Sequence, residues 1–158
     1  MQLGLFVKDA RTPYQPIPIY RVNLVREAGL HVDRPQLRSS SSASDVLRTY
    51  LGDTDREHFV VLLVDRKNRL IGINTVSIGS LTASIVHPRE VFKAAILANA
   101  AAVVLGHNHP SGDPQPSHED KALTKRLVDA GKLLGIEILD HVVIGDDTYY
   151  SFADEGIL

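Results

Sequence analysis

The chain contains no cysteine. That absence excludes disulfides, thiolate zinc sites and a cysteine nucleophile together, so any metal must be held by histidine and carboxylate. There is no surplus of positive charge either: 17 Lys and Arg stand against 19 Asp and Glu. No global positive field is available to draw in nucleic acid, and any such contact has to be local. Long apolar runs are missing too. The longest, over residues 94–105, is interrupted by Asn99 and is too short to cross a bilayer. The opening residues, MQLGLFVKDARTPYQ, lack the basic and apolar regions of a secretory leader. The expected protein is cytoplasmic, with no membrane partner.

What is present is ordinary for a globular chain: 158 residues, 44% hydrophobic and 23% charged, enough for one domain with a real core. Residues 16–27, PIPIYRVNLVRE, alternate with a period of two and read as a half-buried strand. The serine run of RPQLRSSSSASDVLRTYLG reads as a connector ending in a helix cap at Ser42 or Ser44, followed by Val46, Leu47, Tyr50 and Leu51 on one helix face. This divides the chain into an N-terminal strand and linker over 1–40 and a domain over 41–158.

HFVVLLVD, RKNR and LIGINTVSIGS predict a buried hairpin. In HPREVFKAAILANA, Pro88 suits a first helical position, and Val91, Ala94, Ala95 and Ala98 recur at helical spacing. The strand AAVVLGHNH follows. SHEDKALTKRLVDAGKLLG then carries Leu123, Leu127, Ala130 and Leu134 at helical spacing with a glycine stop, and IEILDHVVIG with TYYSF predicts a closing hairpin. The order β, α, β, β, α, β, α, β, β calls for a mixed sheet packed against helices.

The chemistry is concentrated in GHNHPSGDPQPSHED. In an extended segment alternate side chains share a face, so His107 and His109 project together and Asn108 points away. A loop of three prolines and a glycine can fold back to bring Asp120, one turn into the next helix, to the same point. Two imidazoles and one carboxylate form a zinc set with its fourth position open to water, as in catalytic sites. Each residue taken singly has a blander explanation. A lone histidine is usually a surface or core residue, and Ser117 with Asp120 fits a capping-box variant. The combination is harder to explain structurally, because an apolar strand offers no partners to a buried pair of imidazoles.

His107-x-His109, seven residues, Ser117, two residues and Asp120 resemble the JAMM motif of MPN-type metalloproteases. The fuller HNHPSGDPxPSxxD is similar to the bacterial RadC family, a resemblance that runs from about Arg56 to Leu158. It implies an α/β fold of the MPN/JAB type, a cytidine-deaminase-like three-layer α/β/α sandwich with a mixed sheet. It also implies Zn2+ as cofactor on His107, His109 and Asp120, with Ser117 steadying the intermediate. MPN proteases use a glutamate at the start of an early strand as general acid/base, and Glu57 occupies the matching place. Glu90 and Glu119 are weaker candidates, since acids in a first helical turn suit the helix dipole. His141 is a further candidate for the neighbourhood of the site but reads rather as a hydrogen-bonded strand residue, and His31, His58, His87 and His118 read as structural or solvated.

The function implied is a zinc-dependent peptidase or isopeptidase with a peptide or protein substrate. The alternative is a metal-bearing module of DNA repair or recombination. Full-length members of the RadC family are similar in carrying an N-terminal helix-hairpin-helix region, and residues 1–55 contain no glycine hairpin signature of that kind. DNA contact would rest on Lys121, Lys125, Lys132 and Arg126, which also fit a solvated helix face. A metal-dependent nuclease ranks lower, because such enzymes favour carboxylate-rich two-metal sites.

Overall fold

Serine starts the first helix, but not at the expected residue. In the computed structural model, which describes residues 17–27, 29–30, 36–79 and 86–158, Ser39 caps α1 (Ser40–Leu51) and Ser42 reciprocates in a capping box. Neither Ser42 nor Ser44 is the cap. The serine run is the first turn rather than a connector, because hydroxyls three apart satisfy both free ends of the backbone there.

β1 (His58–Val64) and β2 (Leu70–Ile78) form the expected antiparallel hairpin. Its turn is set by Asp65, whose carboxylate accepts from the Lys67 and Arg69 amides at 2.8 and 3.0 Å. α2 (Pro88–Leu97) starts at Pro88 as expected, capped by the His87 ring. β3 (Ala102–Asn108), α3 (His118–Leu134), β4 (Glu137–Ile144) and β5 (Tyr149–Ser151) complete the order. α3 ends at Gly135, whose left-handed backbone (φ 69°) is the usual glycine stop.

The sheet runs β2-β1-β3-β4-β5. Only β3 and β4 pair in parallel, joined by α3, and the other neighbours are antiparallel. One face carries α1, through Val46, Leu47 and Leu51 on Val60, Leu62 and Val104. The opposite face carries α2 and α3, through Val91, Phe92 and Leu127 on Phe59, Val61, Val103 and Leu105. This is the three-layer α/β/α arrangement with a mixed sheet. β1 is buried on both faces, which is why its sequence is continuously apolar instead of alternating. Each such side chain contributes about 1.5–3 kcal/mol of burial.

β4 breaks its own alternation. Val103 pairs with Ile138 but Val104 pairs with Asp140, an irregularity of one residue. Ile138 therefore packs toward α2 and α3, whereas Val142 and Ile144 pack toward α1. Such a bulge re-aims every side chain beyond it.

The strand expected over residues 16–27 is a correction. Pro16 lies outside the described residues, and 17–27 form no strand and are exposed throughout, Ile19 completely. Alternation signals a half-buried strand only when a neighbour covers one side, and no described residue does so. Among the described residues no helix is long and apolar enough to cross a membrane.

Candidate metal centre

The alternation of β3 places Val103, Leu105 and His107 toward α3. Gly106 faces the other way, where a Cβ would lie 2.5 Å from a Leu47 methyl. Asn108 also points away from His107, as expected, and binds the segment ahead of β1. It accepts from the His58 amide at 2.8 Å and donates to Thr54 Oγ1 and the Arg56 carbonyl at 3.0 Å each. His107 is fully buried and stacks on Phe59 with 6.1 Å between ring centroids.

His109 follows the strand and is anchored at both ends. Its amide donates to the Ile144 carbonyl at 2.9 Å, and its Nδ1 lies 2.7 Å from the Asp113 carbonyl. A carbonyl only accepts, so Nδ1 carries the hydrogen and Nε2 of the neutral ring keeps its lone pair. The loop from His109 to Ser117 is pinned by Gly112 N–H to the His109 carbonyl (2.9 Å) and by Asp146 N–H to the Gly112 carbonyl (3.0 Å).

Asp120 arrives through the start of α3. Ser117 caps the helix, accepting from the Asp120 amide at 3.1 Å, while its own amide and hydroxyl both donate to Asp120 Oδ2 at 2.7 Å. The capping box and the metal set, weighed as rivals from sequence, are one structure. The box uses Oδ2 and leaves Oδ1 buried with no hydrogen-bond partner, 3.4 Å from His107 Nε2. His109 Nε2 lies 3.6 Å from Oδ2 and 3.0 Å from His107 Nε2.

His107, His109 and Asp120 thus each offer a ligand atom, all within 4.8 Å of one another, and the group could hold a metal ion. The electrostatics agree with that use. Burial lowers the His107 pKa to about 4, keeping the ring neutral. Burial raises Asp120, but His109, His107 and Ser117 outweigh it and hold the carboxyl well below its usual range. His109 is raised, chiefly by Asp120. Lone pairs and negative charge gathered in a buried pocket can accept a cation.

Glu57 is half-buried just ahead of β1. Phe59 pairs with His107 where the β1–β3 ladder ends, and Glu57 stands two residues before Phe59 in the chain. Its charge helps to raise the His109 pKa. Glu90 and Glu119 stay outside the group: Glu90 is ion-paired with Lys93, and Glu119 is exposed in the first turn of α3. His58 binds the Arg56 carbonyl, His87 caps α2, His118 is exposed, and His31 lies outside the described residues. On α3, Lys125 pairs with Asp129 and Arg126 donates to the Val86 carbonyl.

Two residues around the centre escaped the sequence reading in part or in whole. His141 is a hydrogen-bonded strand residue, as expected, but its partners are His107 Nδ1 at 2.8 Å and Thr124 Oγ1 at 2.6 Å. Thr124, fully inside α3, also donates to the Asp120 carbonyl at 2.6 Å. Its spacing of four from Asp120 was the available signal, since residues i and i+4 lie on one helix face.

A family model described as the RadC-like JAB domain matches residues 37–157. The chain belongs to the RadC-like JAB domain family. Relatives of this RadC-like domain carry the name UPF0758 protein. One from Rubrobacter xylanophilus is 48% identical over 138 residues, covering 87% of this chain and 59% of the relative. One from Desulforamulus reducens is 54% identical over 108 residues, covering 68% and 48%. One from Methanosarcina mazei is 49% identical over 138 residues, covering 85% and 60%. This RadC-like chain therefore spans about half to three-fifths of the length of these relatives.

Proposed function

We propose that this RadC-like JAB domain is a zinc-dependent hydrolase of the metallopeptidase or isopeptidase kind. The observation that carries the reading is the convergence of two imidazole nitrogens and an orphaned, buried carboxylate oxygen within 4.8 Å. Two nitrogens and one oxygen match zinc in a catalytic setting, with no thiolate needed. Zinc held there supplies Lewis acidity and makes water acidic enough to lose a proton near neutral pH.

The chain's own groups take up the remaining tasks. Glu57, whose charge reaches His109, removes the proton and returns it to the leaving amine. Ser117 holds Asp120 through Oδ2 and turns its hydroxyl to the developing oxyanion by giving up that bond. A cleft of about 540 Å³ lies at the α1 side of the strand ends, lined by Arg48, Leu51, Asn108 and Asp146 among others, and of the three ligand candidates only His109 reaches it.

Metal analysis of the purified protein should find about one zinc per chain, and a broad peptide library should yield cleavage that a chelator abolishes. A protein that holds no zinc sinks the proposal. Zinc without cleavage across broad libraries makes the domain a metal-holding module instead.

A further inference from the structure

We propose that Thr124 and His141 are positioning residues that fix the hydrogen of His107 on Nδ1, so that its Nε2 lone pair faces Asp120 and His109. This rests on the reading that those three groups hold a metal.

The argument follows one hydrogen at a time. Thr124 Oγ1 and the Asp120 carbonyl oxygen are 2.6 Å apart. Two oxygens approach that closely only with a hydrogen between them, and a carbonyl has none to give. The hydroxyl's single hydrogen is spent there. Toward His141 Nδ1, also 2.6 Å away, Thr124 can therefore only accept, which places a hydrogen on His141 Nδ1. The other nitrogen of that neutral ring, Nε2, then has a lone pair, and at 2.8 Å it accepts from His107 Nδ1. His107 Nε2 is left bare toward the centre, and its 3.0 Å contact with His109 Nε2 is met either by an ion between the two or by a second hydrogen on the His109 ring. The chain begins on the backbone of one ligand and ends on the ring of another, so three hydrogen bonds tie Asp120 to His107.

Two features protect this chain. His107 and His141 are fully buried, and aromatic rings wall them. Phe59 stacks on His107, and Phe152 stacks on His141 with 4.9 Å between ring centroids, so water cannot trade for the internal bonds. The bulge in β4 supplies the second. Without it, the alternation that sends Ile138 toward α3 would send His141 toward α1.

A ligating histidine ordinarily donates its second N–H to a carboxylate, a carbonyl or water. Here the acceptor is a second imidazole, which has a choice of tautomer and must itself be fixed. Thr124 makes that choice. The reverse order would run from the Thr124 hydroxyl to His141 Nδ1, from His141 Nε2–H to His107 Nδ1, and from His107 Nε2–H to His109. It would occupy the nitrogen the metal needs.

The test has two arms. In the metal-free protein, long-range 1H–15N correlation reads histidine tautomers directly, and His141 and His107 should both carry hydrogen on Nδ1. Hydrogen on His107 Nε2 overturns the proposal. In the second arm, cobalt(II) and zinc titrations compare wild type with Thr124→Val, which removes the hydroxyl at nearly constant shape, and Thr124→Ser, which keeps it. Thr124→Val should weaken metal binding roughly 10–100-fold, as loss of such an outer partner does, and Thr124→Ser should restore it. Wild-type affinity in a folded Thr124→Val protein overturns the assignment. If Thr124→Val does not fold, the first arm decides alone on wild type. A wild-type protein that shows the expected tautomers yet binds neither metal refutes the metal reading and leaves the hydrogen order standing.

Discussion

Gly145→Ala should damage stability and metal binding together, through steric contact alone. A Cβ on Gly145 would lie 2.3 Å from the Gly112 carbonyl oxygen, 2.8 Å from Pro114 Cδ and 3.0 Å from Pro114 N. Carbon and oxygen in contact sit at about 3.3 Å or more, so the loop must retreat by roughly 1 Å. Backbone cannot rotate away as a side chain end can. The retreat strains the Asp146 amide bond to Gly112 and carries off the neighbouring Asp113 carbonyl, which fixes His109 Nδ1. Overpacking of this kind costs about 1–3 kcal/mol, or a Tm fall of roughly 2–12 °C for a domain of this size. Displacing the outer partner of a ligating histidine adds a loss of roughly 10–100-fold in zinc affinity.

Gly135→Ala is the control. Its Cβ would meet nothing within 4 Å, but its φ of 69° costs an alanine about 1–2 kcal/mol. It should melt lower and bind zinc as wild type does. Calorimetry with a zinc titration on both variants checks the pair. An unchanged Tm in Gly145→Ala refutes the steric argument, and unchanged zinc affinity with a lowered Tm removes the loop from the support of the centre.

The double variant His107→Ala/His109→Ala should lose bound zinc, and retention of wild-type zinc by elemental analysis would show that other groups hold it. Glu57→Gln should keep zinc while hydrolysis falls by roughly 10²–10⁴-fold, and full turnover by this variant on a cleaved peptide would move the base elsewhere. Chelation should abolish activity yet leave cooperative unfolding, because Phe59, Val61, Val103, Leu105 and Leu127 are buried against one another apart from the centre. Loss of cooperative melting on metal removal would make the metal structural.

The parts of the centre legible in sequence are those governed by local periodicity. His107 and His109 share a face because strands alternate, and Ser117 and Asp120 meet because a helix start brings them together. Less legible is whatever depends on a count made across the sheet. His141 faces His107 only because β4 slips by one residue against β3, and no residue type in IEILDHVVIG announces that slip. Thr124 looks like an ordinary helix residue until Asp120 and His141 flank it. The N-terminal alternation misled in the opposite direction. A period of two in residues 17–27 states which side chains would share a face, but without a covering layer it forms no strand. At Ser39 the error was smaller: a capping box takes the first serine that has a hydroxyl three residues on.

The ligand candidates His107, His109 and Asp120 and the hydrogen-bonded Thr124 and His141 belong to one contiguous crossover unit, β3–α3–β4. Glu57 lies outside that unit, just ahead of the hairpin that flanks it. On the proposed reading, gripping an ion falls to the crossover and moving a proton to a residue beside it, and the two pieces meet along β1 and β3. Under that reading a change at Glu57 silences turnover and leaves the grip whole, whereas nothing ahead of β1 replaces a lost ligand.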